Sequence, residues 1–155
     1  MIELTTEKEI AQYVEECLQD YPANLTRIEV LKKDLEVLRA LGDVKAQNYV
    51  KIYNNDSRTT PDDPVAQHVQ KVMKLEEEIE RLKRVTEPLT KMIQDLKSPY
   101  ALDKSLNSDF IKILGLSYFG RNQTPIILDA TGWSRAGFFR KKKQLAELAR
   151  SYLGL

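Results

Sequence analysis

The chain has 155 residues, of which 42% are hydrophobic and 30% are charged, with six Gly and six Pro. This composition is neither collagen-like nor disordered throughout, and the length is sufficient to bury a hydrophobic core. The sequence lacks a run of about 18 apolar residues, so we expect no membrane-spanning helix. The single cysteine, Cys17, excludes an internal disulfide framework, and the single histidine, His68, excludes sites that need two imidazoles.

The formal net charge of +1 conceals an uneven distribution. From residue 121 onward, seven Lys or Arg side chains accompany two acidic ones, whereas residues 1–120 carry 17 basic and 21 acidic side chains. A basic end on an otherwise acidic chain indicates a polyanion partner for that end alone. A solvated lysine cluster on a helix surface would give the same counts and stays an alternative.

The amino-terminal half predicts two helices and a linker. We expect a helix over residues 4–20, with Cys17 in its apolar stripe, and a second helix that begins at Pro22 because proline suits a first turn. The second helix should end at Gly42. Its expected inner stripe consists of Leu25, Ile28, Leu31, Leu35 and Leu38. Residues 42–64 are the least regular and predict a linker, which we expect to be mobile over residues 54–63.

From Val65 onward, apolar residues occupy the a and d sites of about five heptads. We expect His68 to be a tolerated polar residue of this seam, and Pro88 to kink or restart the helix. The packing or oligomerisation seam includes Val72, Leu75, Ile79, Leu82, Leu89 and Ile93.

Two partners fit this seam. Residues 23–41 share its spacing, which slightly favours a hairpin within the chain. Complementary charges between parallel helices, with Lys71 facing Glu76 and Glu78 facing Lys83, are also typical of a homodimer.

After Ser98 and Pro99 interrupt the pattern, the sequence predicts a short connector and a helix capped by Asp109 or Ser108. This helix carries Phe110 and Leu114 and should end within residues 115–120.

Residues 124–153 follow the pattern of a helix-turn-helix. Thr124 can cap a first helix with Pro125 in its first turn, Gly132 suits a left-handed turn, and Ser134 can cap a second helix after Trp133 fills the turn. The side chains expected to face inward from the second helix are Phe138, Leu145, Leu148, Ala149 and Tyr152.

The outer face of the second helix is expected to contact DNA, because helices of this type place their first turns in the major groove. Arginine can bond a guanine edge, and small apolar groups can contact a thymine methyl. We expect base edges to be read by Arg135, Ala136, Phe139, Arg140 and Lys143. We expect phosphates to be bound by Ser134, Arg121, Lys141 and Lys142.

The segment GWSR followed by a basic helix resembles the helix-turn-helix of sigma-70 region 4. The whole chain resembles the bacteriophage RinA/ArpU-like transcriptional regulators, with supporting segments YVEECLQDYPANLTRIEVLKKDLEVL and FIKILGLSYFGRNQTPIILDATGWSR. This resemblance implies activation of phage late genes. The sequence departs from the pattern at Leu128, Thr131 and Lys141, the last of which stands where an apolar side chain usually turns inward.

These observations predict an all-α protein with a helical hairpin or coiled-coil region at residues 1–97 and a helix-turn-helix domain at residues 100–155. We expect a DNA-binding transcriptional regulator in the cytoplasm of a bacterial host, because the acidic amino terminus does not resemble a signal peptide. Its expected partners are double-stranded DNA and, as open alternatives, RNA polymerase and a second copy of the chain. We expect no membrane, small-molecule substrate, cofactor or metal.

Catalysis is not expected, because the chain lacks a phosphate-binding loop, a zinc-protease motif and a triad around His68. The competing hypotheses are also binding proteins. One is a DNA-recognition subunit of a phage packaging machine similar to small terminases, and the other is a coiled-coil adaptor whose basic tail binds nothing specific.

Overall fold

A computed structural model describes residues 6–53 and 64–155, with side chains for residues 6–42 and 64–155. The described chain is all-α, as predicted. Its helices are α1 (Glu7–Tyr53), α2 (Pro64–Leu96), α3 (Lys104–Ile113), a π-helix (Leu114–Phe119), α4 (Thr124–Thr131) and α5 (Arg135–Leu153). The expected mobility of residues 54–63 lies outside the described residues.

Helix α1 is one continuous helix, so the predicted start of a second helix at Pro22 and the predicted stop at Gly42 are both wrong. Buried side chains lie on both sides of Pro22, at Tyr21 and Ile28, and their burial offsets the backbone hydrogen bond that proline removes. Gly42 is buried and serves a close helix approach, because a Cβ there would overlap the His68 imidazole. The predicted linker is therefore helical as far as Tyr53.

The chain forms two compact units, which are Met1–Asn24 with Arg84–Leu155 (the terminal unit) and Leu25–Lys83 (the hairpin unit). This division differs from the boundary that the sequence predicted near residue 98. The reason is that the first turns of α1 and the last turns of α2 belong to the same unit as the carboxyl-terminal helices.

In the hairpin unit, α1 packs against α2 within one chain, the arrangement that the heptad spacing slightly favoured. The core of this unit is formed by Ile28, Leu31, Leu35, Ile79 and Leu82, with Val72 and Leu75 packed against it. Leu25, expected in the stripe, is 39% exposed because Tyr21 holds the position one heptad before Ile28.

The two glutamates that would face a partner chain in the homodimer alternative form ion pairs within the hairpin unit. Glu76 pairs with Arg39, and Glu78 lies 2.7 Å from Arg81 and 3.9 Å from Arg27. The Arg81 guanidinium lowers the pKa of the Glu78 carboxyl.

Helix α2 passes through Pro88 without a restart, contrary to that part of the prediction. Thr86 and Leu89 are buried on either side of the proline, and this packing holds the helical backbone. The predicted seam is divided between the units, because Leu89 and Ile93 pack in the terminal unit.

The core of the terminal unit draws on all of its helices. Its buried side chains include Val14, Cys17, Leu18, Leu89, Met92, Phe110, Ile113, Leu114, Tyr118, Ile127, Phe138, Leu145 and Ala149. Each large apolar side chain buried in this way stabilises the fold by about 1.5–3 kcal/mol. Two polar contacts bind α1 and the end of α5 to α2: Tyr21 and Thr90 share a hydrogen bond of 2.7 Å, and the Tyr152 hydroxyl donates to Asp95 at 2.6 Å.

The observed cap of α3 lies five residues before Ser108 and six before Asp109, the two predicted caps. The Asp103 carboxylate accepts a hydrogen bond of 3.0 Å from the Leu106 amide, so Asp103 caps the helix and neither Ser108 nor Asp109 does. A π-helix follows directly and ends at Phe119, and the amide of the capping residue Gly120 donates to the Gly115 carbonyl at 2.9 Å. The predicted end of this helical segment, within residues 115–120, is confirmed.

Candidate nucleic-acid interface

The turn between α4 and α5 has the backbone geometry that the sequence predicted. Gly132 has a φ of +74°, and its amide donates to the Leu128 carbonyl at 2.8 Å. Ser134 caps α5, because its Oγ accepts from the Gly137 amide at 3.1 Å. Only the cap of α4 differs, since the helix begins at Thr124 and the capping position is Gln123.

Lys141 lies on the inner side of α5. Its Nζ is 2.9 Å from Asp109 Oδ2 and 4.4 Å from the centre of the Trp133 ring, which itself stacks on Phe138. A cation held between a carboxylate and an aromatic face takes the place of the apolar side chain that the family pattern has here. A phosphate would have to compete with Asp109 for this ammonium, which disfavours the phosphate contact that the sequence predicted for Lys141.

The five side chains predicted to read base edges share one solvent-exposed face of α5, called the reading face below. All of Arg135, Ala136, Phe139, Arg140 and Lys143 are exposed. They are the first, second, fifth, sixth and ninth residues of the helix, and spacings of one and four place them on adjoining parts of its surface. Within the described part of the chain, neither the two arginines nor the lysine forms an ion pair.

The opposite face of α5 is buried as predicted. Phe138, Leu145 and Ala149 are fully enclosed in the core, and Leu148 and Tyr152 are half-buried. The exposed cationic face is therefore held in a fixed direction by the packing on the other side of the helix.

Phe139 is an aromatic side chain on this cationic face, and 43% of it is exposed. Its ring centre lies 5.2 Å from that of the buried Phe138, and the Arg135 guanidinium carbon lies 5.6 Å from the Phe139 ring centre. These two contacts hold the ring in place although nearly half of it faces solvent.

The remaining predicted phosphate-binding residues lie in three settings. The Lys142 Nζ lies 5.1 Å from the centre of the Tyr118 ring. Arg121 is exposed in the loop before α4 and has a φ of +50°, a conformation that side-chain-bearing residues rarely adopt. Ser134 is exposed, and while its oxygen accepts the capping hydrogen bond its hydroxyl proton is able to donate to an anion.

The Tyr118 ring packs beneath the Lys142 ammonium. It is buried, and its hydroxyl donates a hydrogen bond of 2.7 Å to the Glu15 carboxylate of α1. Burial, together with the negative charge of Glu15, raises the pKa of Tyr118 well above its usual value. The ring therefore stays neutral at physiological pH and presents an uncharged π-face to the lysine.

The start of α1 flanks the second half of α5. Glu7 forms a two-point ion pair with Arg150, with contacts of 2.5 and 3.2 Å, and the Arg150 guanidinium lowers the pKa of the Glu7 carboxyl. A small cavity of about 190 Å³ separates Ala11 and Val14 of α1 from Lys143 and Ala146 of α5. The inner edge of α5 from Lys143 to Arg150 therefore lies beside α1, whereas the first two turns of α5 do not line this cavity.

Three of these features were not predicted from the sequence. They are the Asp109–Lys141 pair, the position of Tyr118 under Lys142, and the Glu7–Arg150 pair. Each one joins residues that are distant in the chain, so no local pattern marks them. The departure at Lys141 from the usual apolar position was the one sequence feature that pointed to an unusual partner.

Residues 6–53 and 64–155 contain no group of three His, Cys, Asp or Glu side chains able to hold a metal ion. None of the helices described there is both long and apolar enough to cross a membrane.

No protein-family model matches the chain, and no curated protein and no solved structure is similar to it. The resemblance to RinA/ArpU-like regulators therefore stays a prediction that depends on the sequence motifs.

Proposed function

We propose that this protein is a sequence-specific DNA-binding transcriptional regulator that places the first turns of α5 in the major groove. The observation that carries the proposal is the face of Arg135, Ala136, Phe139, Arg140 and Lys143, which is exposed and free of described ion pairs. A helix of this kind, preceded by a glycine turn and a shorter helix, fits the groove through its amino-terminal residues.

The proposed DNA contacts are of two kinds: some side chains bond base edges, and others bind phosphates. Arg135 and Arg140 bond guanine edges, which accept bidentate hydrogen bonds from a guanidinium. Lys142, Arg121 and Ser134 contact phosphates, which fixes the protein's position on the duplex without reading sequence.

The helical hairpin has a separate proposed role, which is to set the spacing between protomers or to contact RNA polymerase. The intrachain burial of Ile79 and Leu82 favours a hairpin that folds within one protomer. Any homodimer would then use another surface. With the motif resemblance, we further propose an activator of phage late genes that acts in the cytoplasm of the bacterial host and is not an enzyme.

The first test is in vitro selection of the purified full chain on random duplex DNA at near-physiological salt. We expect enrichment of one defined site, and two-fold symmetry within it would indicate a dimer. Binding without enrichment would contradict sequence-specific regulation and favour the packaging or adaptor hypotheses. No binding at all would contradict the DNA hypothesis for the protein acting alone.

The second test separates the two proposed roles on the selected site. Arg140→Ala should cost about 1–3 kcal/mol there and relax sequence preference at one position. Lys142→Ala should weaken binding to all sequences equally and reduce the salt dependence. Lys91→Ala is the charge-matched control, because Lys91 is an exposed lysine of α2 in the same unit. Equal losses for Arg140→Ala and Lys142→Ala on every sequence would refute this division.

A further inference from the structure

Phe139 is an apolar group placed among cations. Arg135 precedes it by one helical turn, Lys143 follows it by one turn, and Arg140 is its neighbour in the chain. Covering the exposed part of this ring with an apolar group of a ligand would be favourable, because apolar surface gains free energy when it leaves water.

The surroundings of the ring favour a nucleic acid over a protein surface. A protein that covered Phe139 would also desolvate Arg135 and Arg140 and would have to supply a carboxylate to each of them, because no carboxylate of the described chain pairs with either. A DNA groove supplies phosphates and guanine acceptors for these cations at the same time. The one apolar group that the major groove offers is the C5 methyl of thymine.

The ring is also held in place before any ligand binds. Contact with the buried Phe138 and with the Arg135 guanidinium fixes its position, so contact with a methyl group requires little further ordering. Ala136, the other apolar residue of the face, has a side chain too short to replace it.

We propose that Phe139 recognises the C5 methyl group of a thymine in the major groove, so that replacing at least one thymine of the site by deoxyuridine weakens binding. This inference rests on the proposed DNA-binding function and adds one base determinant to it. Replacing thymine by deoxyuridine keeps the pairing with adenine and removes only the methyl, so the two ligands differ by the contact in question.

The experiment measures the dissociation constants of the full chain for the selected duplex and for duplexes in which one thymine at a time is deoxyuridine. We expect a loss of about fourfold at one position, which corresponds to the ~0.8 kcal/mol of one buried methyl group at 1.4 kcal/mol per tenfold change. In Phe139→Ala the loss at that position should disappear, and in Phe139→Leu part of it should remain.

Ile126→Ala is the matched control, because Ile126 is an exposed apolar side chain of α4, 55% exposed, that lies outside the reading face. This variant should keep the fourfold dependence of the wild type. Circular dichroism of each variant establishes that it is folded.

Two results would overturn the proposal and leave the DNA-binding function standing: a wild type that binds every deoxyuridine duplex as tightly as the original, or a Phe139→Ala variant that keeps the methyl dependence. A Phe139→Ala variant that binds all duplexes like the wild type but fails to activate transcription would assign the ring to a protein partner instead. Failure of the selection to yield any site would overturn both proposals.

Discussion

Replacement of Gly132 by alanine tests the turn on which the proposed reading face depends. Gly132 has a φ of +74°, and a Cβ built there meets no atom within 4 Å. The substitution therefore introduces no steric clash, and its effect on the folded state comes from the backbone conformation alone. A left-handed conformation costs an L-residue about 1–2 kcal/mol.

Alanine also lowers the conformational entropy of the unfolded chain, which stabilises the folded state by about 0.4–1 kcal/mol. We therefore expect Gly132→Ala to lower the free energy of unfolding by about 1 kcal/mol, which corresponds to about 2–4 °C in the melting temperature of a chain of this size. The measurement is urea denaturation followed by circular dichroism at 222 nm.

Two glycines provide matched controls. Gly115 has equally open surroundings but no left-handed conformation, so Gly115→Ala should increase stability by about 0.5–1 kcal/mol. Gly154 has a φ of +73° and open surroundings but follows the last turn of α5, so Gly154→Ala should affect only the local end of the helix. A Gly132→Ala variant as stable as the wild type, beside a stabilised Gly115→Ala variant, would refute the left-handed turn.

Three further predictions concern strain, pH and reactivity. Arg121→Gly should unfold at the same or a higher urea concentration than Arg121→Ala, because glycine adopts a φ of +50° without cost, and both variants should bind all DNA sequences more weakly. Tyr118 has a raised pKa in the folded state, so the unfolded state loses the phenol proton at a lower pH than the folded state does. The free energy of unfolding should therefore fall above about pH 10, by up to ~1.4 kcal/mol per pH unit. In urea titrations from pH 9 to 11, the free energy of unfolding should fall less steeply with pH for Tyr118→Phe than for the wild type. It should fall as steeply as in the wild type for Tyr100→Phe, because Tyr100 is 91% exposed. Equal slopes for the two variants would contradict the raised pKa of Tyr118. Burial raises the pKa of the Cys17 thiol, so Ellman's reagent at pH 8 should react slowly with the native protein and rapidly in urea, and rapid reaction of the native protein would contradict this burial.

Features governed by local backbone chemistry were predictable from the sequence. The Gly132 turn and the Ser134 cap depend on the conformational freedom of one residue and on one side-chain oxygen, and both were found as predicted. The caps of α3 show where this reasoning reaches its limit. Asp103 and Asp109 are both competent caps by residue type, and Asp109 is instead paired with Lys141, which is 32 positions later in the sequence.

The long helices were misjudged for a related reason. Pro22, Gly42 and Pro88 each break a helix by local rules, and at each of them the helix continues. Near the two prolines, Tyr21 and Leu89 are buried in a core to which other segments of the chain contribute. This burial stabilises the helical backbone where the local rule predicts a break. A cost of a few kcal/mol at a proline is offset by burial that no single segment of sequence reveals.

The way the core of the terminal unit is assembled restricts how the helix-turn-helix can be exchanged between proteins. Val14 and Leu18 come from the start of the chain and Met92 from its middle, yet all three belong to the core that supports α5. A gene fragment that begins after residue 97 would encode the reading face without this support. Recombination would therefore transfer the proposed DNA specificity in two ways: by exchange of the whole chain, or by replacement of surface residues on α5 one at a time.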